Sequence, residues 1–198
     1  MNNEINLKKV VRNLIIFGIL VFGFNLLVKS MKAKTTEELF NTSWIECDFG
    51  QKKLKSTFPV NLAREKTDKG NIEVYGYESR HLTILLRAIT LDQPVEVSIK
   101  DFSELSFKNL STALELSDVN FNASEKSNSK YNRIDGTFLK DNNKYEFGNL
   151  SLIKENTFYD IIIYYQAGDQ FGSKILNKAI EGIVVKNALQ SSRQPHSL

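Results

Sequence analysis

The chain has 198 residues, with 26 lysines and arginines against 23 aspartates and glutamates, for a formal net charge of +3. Its first 38 residues contain the whole excess, since they have six basic and three acidic side chains and the remaining 20 of each sign cancel. A neutral domain lacks the positive field that phosphate backbones require, which argues against nucleic acid as a partner.

An apolar stretch near the N terminus follows Lys8, Lys9 and Arg12. Counted from Val10 to Val28, it would form a helix of about 28 Å, close to the ~30 Å hydrocarbon thickness of a bilayer. Its side chains are apolar on every helical face, which suits lipid better than a protein core. We therefore predict a single transmembrane helix, Val10–Val28, in contact with the lipid bilayer.

A cleaved signal peptide is the competing interpretation, because basic residues followed by an apolar run also mark such segments. Cleavage after Ala33 would place Met31 at the −3 position, where a small residue is expected. No cysteine directly follows the run to serve in a lipobox. We favour a retained anchor. Three basic residues precede the span and three follow it, so the positive-inside rule leaves its direction open.

Three regions are predicted: an anchor and linker at 1–38, one soluble domain at 39–190 and a disordered tail at 191–198. A domain of about 150 residues buries enough surface to be stable without disulfides or metals. Thr35–Asn41 is interpreted as a polar linker or the first turn of a helix. Cys47 is the single cysteine, so no intramolecular disulfide forms.

The first part of the domain is predicted to consist of strands. Trp44–Pro59 contains two short strands around a turn at Gly50. Another strand begins at Ile72, and the run Leu82–Leu91 is apolar on both alternating faces. A strand of that kind must be covered on both sides.

Apolar residues spaced by three and four then predict the first long helix, with Asp92 as its N-cap and Pro94 in the first turn. These residues are Val95, Ile99, Phe102, Leu105, Leu110, Ala113 and Leu114. A second amphipathic helix is predicted after Gly168, with Asp169 as its cap and Gly182 near its end.

Between the two helices the apolar period returns to two, which predicts an antiparallel meander with a turn at Asp141–Lys144. Its last strand, Thr157–Gln166, is apolar on both faces apart from Asp160 and is expected to be central. The predicted fold is α+β: an α/β/α sandwich with a mainly antiparallel sheet and a helix on each face.

No catalytic, cofactor-binding or metal-ligating residue is predicted. His81, His196 and Cys47 lie far apart in the sequence, so they suggest no zinc site. Cys47 has no identifiable base and is interpreted as a small buried thiol. Gly168–Lys174 lies between a strand and a helix, but three residues separate its glycines where a P-loop has four, so a capped turn is predicted.

The order of elements resembles that of PsbP/Mog1-like domains, including small bacterial secreted proteins and lipoproteins. Four features suggest the likeness: the hairpin ending in Thr57–Pro59, the strand Leu82–Leu91 followed by a helix, the step Arg133–Gly136, and the closing strand and helix within Phe158–Val185. The chain departs from the lipoprotein members because it lacks their lipobox cysteine. The resemblance implies an α/β/α sandwich, a non-catalytic accessory or protein-binding role and a domain outside the cytoplasm.

We therefore expect a single-pass cell-membrane protein whose extracytoplasmic accessory domain binds another protein and uses no cofactor. The alternative is an enzyme or small-ligand binder whose site is assembled from residues distant in sequence. An inverted anchor, with the domain in the cytoplasm, is also left open by the even charge distribution.

Overall fold

The computed structural model describes residues 34–50, 54–65, 70–92, 98–123 and 131–191. The predicted transmembrane helix Val10–Val28 lies outside these residues, as do His196 and the tail beyond Ser191. Within the described ranges, none of the helices combines the length and the apolar character needed to cross a bilayer.

Three helices and nine strands are present in the described part of the chain. The helices are α1 (Thr36–Phe40), α2 (Ile99–Ala113) and α3 (Gln170–Ser191). The strands are β1 (Ile45–Phe49), β2 (Leu54–Phe58), β3 (Ala63–Glu65), β4 (Ile72–Glu78), β5 (Leu82–Thr90), β6 (Ser117–Ala123), β7 (Tyr131–Lys140), β8 (Asn143–Lys154) and β9 (Thr157–Gln166). The domain is therefore an α+β fold with a mostly antiparallel sheet, as the sequence predicts.

The strands form a two-stranded hairpin, β1–β2, and one seven-stranded sheet in the order β3-β4-β5-β9-β8-β7-β6. The predicted hairpin and the predicted meander β6–β9 are both confirmed. Strand β9 is the fourth of seven, and all its residues except Gln166 are buried. Its central position is confirmed, because a strand apolar on both faces must be covered on both.

Helices pack on both faces of the sheet. On one face, α3 and the β1–β2 hairpin bury side chains such as Phe58 and Ile180 against Tyr159 and Ile161. On the opposite face, Phe102 of α2 stacks on Phe158 with ring centroids 4.4 Å apart. Each face thus has its own apolar core, which explains why the central strands lack the usual polar alternation.

The predicted start of α2 and the predicted end of α3 are wrong. Helix α2 begins at Ile99, and its N-cap is Ser98, whose hydroxyl accepts a hydrogen bond from the backbone N–H of Asp101, rather than Asp92. Helix α3 continues nine residues beyond Gly182 to Ser191. Gly182 does not end it because the buried residues Ala179 and Ile183 hold this stretch against the domain, and packing outweighs the low helix propensity of glycine.

Two short elements complete the fold. Helix α1 forms where a helical turn was one of two interpretations, because Thr35 and Glu38 make a capping box. It spans the predicted domain boundary at residue 39 and packs on the domain through the buried side chain of Leu39. Strand β3 was not predicted, since its three residues are largely exposed and show no apolar alternation.

Candidate functional site

A buried polar cluster lies between the sheet and α2. Asp160 of β9 is its centre, and its Oδ2 accepts a hydrogen bond from Arg87 Nη2 at 3.0 Å and another from the Ser106 hydroxyl. Its Oδ1 accepts hydrogen bonds from Asn149 Nδ2 at 2.7 Å and from the Ser151 hydroxyl at 2.8 Å. Strands β5, β8 and β9 and helix α2 thus each contribute to one cluster.

This cluster brings together residues distant in sequence, as the enzyme alternative requires, but its geometry is structural. A carboxylate offers about four acceptor positions, and four donors already occupy those of Asp160. Arg87 and Asp160 are only 2% and 4% exposed. Burial lowers the pKa of the Arg87 guanidinium, and the adjacent Asp160 carboxylate partly offsets that effect. The cluster therefore fixes α2 on the sheet, and the acceptor positions of the Asp160 carboxylate are filled by residues of the protein.

A second polar group joins the β1–β2 turn to the sheet. Glu73 of β4 accepts hydrogen bonds at Oε2 from the Gly50 backbone N–H (3.1 Å) and from the Tyr75 hydroxyl (2.7 Å). Gly50 has φ +59°, a conformation that favours glycine. Burial, followed by the hydrogen bond to Glu73, raises the pKa of Tyr75 to about 12. These contacts hold the hairpin tip in place.

An open groove, here called the α2–β6 groove, lies between α2 and β6 and has a volume of about 490 Å³. Its lining residues are Asp101, Glu104, Leu105, Phe107, Lys108, Ser111, Val119 and Phe121. Phe121 is 40% exposed, although its ring packs edge-on against the buried ring of Phe107 at 5.5 Å. The groove thus combines an apolar floor with charged side chains of both signs.

A different surface, here called the α1–α3 surface, consists of three aromatic residues and two lysines: Phe40, Trp44, Phe171, Lys174 and Lys178. Lys178 Nζ lies 4.1 Å from the centre of the Trp44 ring, and Lys174 Nζ lies 4.7 Å from that of Phe171. The aromatic rings are partly exposed and both lysines are exposed. Ammonium groups over aromatic faces are attracted by the ring quadrupole.

Local hydrogen bonds explain why this surface has a defined shape. Asp169 caps α3, because its Oδ1 accepts hydrogen bonds from the backbone N–H groups of Phe171 (2.9 Å) and Gly172 (3.1 Å). Its Oδ2 accepts a hydrogen bond from the Thr36 hydroxyl at 2.6 Å, which joins α1 to the start of α3. The Trp44 indole N–H donates to the carbonyl of Phe40 at 3.3 Å.

Cys47 and His81, the residues considered from the sequence for metal or nucleophile chemistry, lie in different elements of the described chain, in β1 and just before β5. Cys47 is only partly buried, because β1 belongs to the hairpin on the outside of the domain, so the prediction of a buried thiol is wrong. Its partial burial still raises the pKa of the Cys47 thiol. His81 precedes β5, where its backbone N–H donates to the Ser79 hydroxyl. No group of three or more potential metal-ligating residues occurs among the residues described. The capped turn predicted at Gly168–Lys174 is confirmed by the hydrogen bonds of Asp169.

Comparison with known proteins adds little to this geometry. No protein-family model and no curated protein sequence matches the chain. Among solved structures, the chain is similar to LpqN, described as involved in cell envelope biogenesis of Mycobacterium tuberculosis. The TM-score is 0.32 and the sequence identity is 9%, and the match covers 77% of this chain and 95% of LpqN. A likeness this distant carries no argument, and the resemblance to PsbP/Mog1-like domains stays a prediction.

Proposed function

We propose that this chain is a single-pass membrane protein whose domain lies outside the cytoplasm and serves as a non-catalytic accessory module that binds another protein. The α2–β6 groove is the observation that carries the protein-binding part of this proposal. The apolar segment Val10–Val28 supports the anchor, and the resemblance to exported PsbP/Mog1-like domains supports the location.

The composition of the groove matches that of a protein interface. Phe121 offers a partly exposed aromatic anchor that is held in place by the buried ring of Phe107, and such anchors dominate binding energies at interfaces. Apolar residues at the centre and charged residues at the rim are the usual arrangement. Exposed single hydrophobic residues are common, but here Val119 and Leu105 line the same depression as Phe121.

The rim of the groove indicates what kind of partner fits. Asp101 and Glu104 outnumber Lys108 among the charged lining residues, so a basic side chain is favoured beside an apolar one. Strand β6 is one of the two outer strands of the described seven-stranded sheet, and an outer strand can pair with an extended segment of another chain. The proposed occupant is therefore an extended segment of a partner protein that carries one apolar and one basic side chain.

Site-specific photocrosslinking in intact membranes tests the binding role. A photoreactive phenylalanine analogue replaces Phe121 in one variant and Asn143, exposed at the β7–β8 turn, in the control. We expect a discrete protein adduct from position 121 alone, and its loss when Asp101→Lys and Glu104→Lys reverse the rim charge. Equal adduct yields at positions 121 and 143 would contradict binding through the groove. So would an adduct at position 121 whose yield does not change when the rim charge is reversed.

Protease treatment of intact cells tests the location independently. Degradation of the domain from outside would support the extracytoplasmic proposal, whereas protection that ends only on lysis would favour the inverted anchor. A thermal-shift screen with metals, nucleotides and lipids addresses the enzyme alternative, because a ligand that binds only the folded state raises its melting temperature. Strong stabilisation by one small molecule would support that alternative.

A further inference from the structure

We propose that the α1–α3 surface lies against the headgroups of an anionic bilayer, namely the membrane in which the chain is anchored. This inference rests on the anchor of the proposed function and is independent of the α2–β6 groove. The contact would give the domain a defined orientation on the membrane, which attachment through the anchor alone does not impose.

The position of the surface along the chain is the first argument. Thr35, the N-cap of α1, follows Val28 by seven residues, which span at most about 25 Å when fully extended. The predicted anchor therefore keeps α1 close to the headgroups. A tethered surface meets its ligand at an effective concentration on the order of millimolar, so weak contacts suffice for it to bind.

The chemistry of the surface is the second argument. Tryptophan, together with lysine side chains whose stems lie along apolar surface, is typical of residues at a membrane interface. Trp44 and Phe171 are partly exposed, and Lys178 and Lys174 place their ammonium groups beside these rings. Phe40 lies between them, with its ring centroid 5.9 Å from that of Phe171.

The balance of charge is the third argument. Five lysines and four acidic residues lie in the tether, in α1, at the N-cap of α3 and on the exposed part of α3: Lys29, Lys32, Lys34, Lys174 and Lys178 against Glu37, Glu38, Asp169 and Glu181. The carboxylate of Asp169 accepts hydrogen bonds from the Thr36 hydroxyl and from the first backbone N–H groups of α3. The carboxylate of Glu38 is engaged by Thr35 in the capping box. The excess of positive charge favours a surface that contains anionic lipid over a neutral one.

Trp44 is the single tryptophan of the chain, so its fluorescence reports on this surface alone. The full chain is reconstituted into vesicles of phosphatidylcholine, with or without about a third phosphatidylglycerol, a fraction chosen to give a clearly negative surface potential. Part of the phosphatidylcholine carries bromine near the headgroup end of its acyl chains, which quenches nearby indole. We expect stronger quenching of Trp44 in the anionic vesicles and a shift of its emission to shorter wavelength.

Matched charge variants separate a specific contact from general attraction. Lys174→Glu with Lys178→Glu should abolish the additional quenching in anionic vesicles, whereas Lys174→Arg with Lys178→Arg should retain it. Lys100→Glu with Lys144→Glu changes the total charge equally at exposed positions elsewhere and should leave the quenching unchanged. Thermal unfolding of each variant in detergent shows whether its fold is intact.

Flotation of the same vesicles distinguishes the two proposals. Failure of the chain to float with vesicles of either composition would overturn the anchor, and with it this inference. Flotation with both compositions, but without lipid-dependent quenching of Trp44, would overturn the inference and leave the anchor standing. Equal loss of quenching in the variants at Lys174/Lys178 and at Lys100/Lys144 would also overturn it, because the attraction would then have no defined surface.

Discussion

Arg87 and Asp160 face each other across the β5–β9 pair, with Arg87 Nη2 3.0 Å from Asp160 Oδ2 and both side chains buried. The same cross-strand row continues through Ser151 of β8 to Asn132 of β7. Ser106 of α2 donates a hydrogen bond to Asp160 from above the sheet. A polar row in an otherwise apolar core therefore specifies where α2 sits.

Removing one partner of this buried pair should be costly, because the other charge then remains in a medium of low dielectric constant. We expect Asp160→Ala to lower the free energy of unfolding by about 3–5 kcal/mol. Combining it with Arg87→Met removes the uncompensated charge, so the double variant should lose less than the sum of the two single effects. Urea unfolding of the detergent-solubilised chain, followed by Trp44 fluorescence, measures these differences. If the losses of unfolding free energy in the two single variants add up to the loss in the double variant, the two residues do not stabilise each other.

The two glycines within α3 provide a matched pair for packing. A Cβ at Gly172 would lie 2.5 Å from Cδ2 of the Tyr165 ring, whereas one at Gly182 would meet only Thr57 Oγ1 at 3.9 Å. Gly172→Ala should destabilise the domain by about 1–3 kcal/mol through overpacking. Gly182→Ala should stabilise it by up to about 1 kcal/mol through helix propensity. Shifts of the urea midpoint in the same direction would refute the close packing of α3 on β9.

Asp169 is half-buried and should have a larger effect on stability than exposed loop residues, because it caps α3 and accepts a hydrogen bond from the Thr36 hydroxyl. Asp169→Ala should cost about 1–2 kcal/mol through loss of the cap. Asp169→Asn retains a capping oxygen and should cost less. Thr36→Val removes only the connection to α1, so hydrogen exchange should become faster in α1 and remain unchanged in the first turn of α3. Faster exchange in both helices would mean that the two roles of Asp169 cannot be separated.

Two buried tyrosines and one half-buried tyrosine should make the domain sensitive to alkaline pH. Burial raises the pKa of Tyr75, Tyr159 and Tyr165 to about 12 in the folded chain, whereas unfolded tyrosine ionises near pH 10. The unfolded state therefore releases protons first, so the stability is fully present below about pH 10 and is lost as the pH rises towards 12. A phenolate absorbance titration should show these three groups ionising late, and Tyr75→Phe should remove one of them. Their ionisation near pH 10 without unfolding would contradict the burial.

Much of the fold could be predicted from apolar periodicity alone. Leu82–Leu91 and Thr157–Gln166 are apolar on both faces, which places them inside the sheet, and Gly50 and Asp141–Lys144 mark the turns that join strands. The start of α2 and the end of α3 were predicted less well: both Asp92 and Ser98 could cap a helix, and the packing around Gly182 depends on tertiary contacts. Three-residue strand β3 carries no periodic signal at all.

The candidate surfaces were not predicted, since each combines residues distant in sequence. Phe121 and Phe107 lie in different elements, and only the fold brings their rings together. A partial signal existed for the α1–α3 surface, because Lys174 and Lys178 are four residues apart on one helix face after Phe171. The Arg87–Asp160 pair also had a signal, because each is a charged residue within a doubly apolar strand.

The arrangement of the helices on opposite faces of the sheet determines how far a docked partner stands from the bilayer. Layers of secondary structure pack roughly 10 Å apart, so the axes of α2 and α3 are separated by about 20 Å. If the α1–α3 surface lies on the headgroups as proposed, α2 and the α2–β6 groove lie on the opposite face of the sheet from α3. A partner embedded in the same membrane would then need a linker of at least about six extended residues to reach the groove. The length of that linker, as well as the sequence of the bound segment, would decide which partners bind.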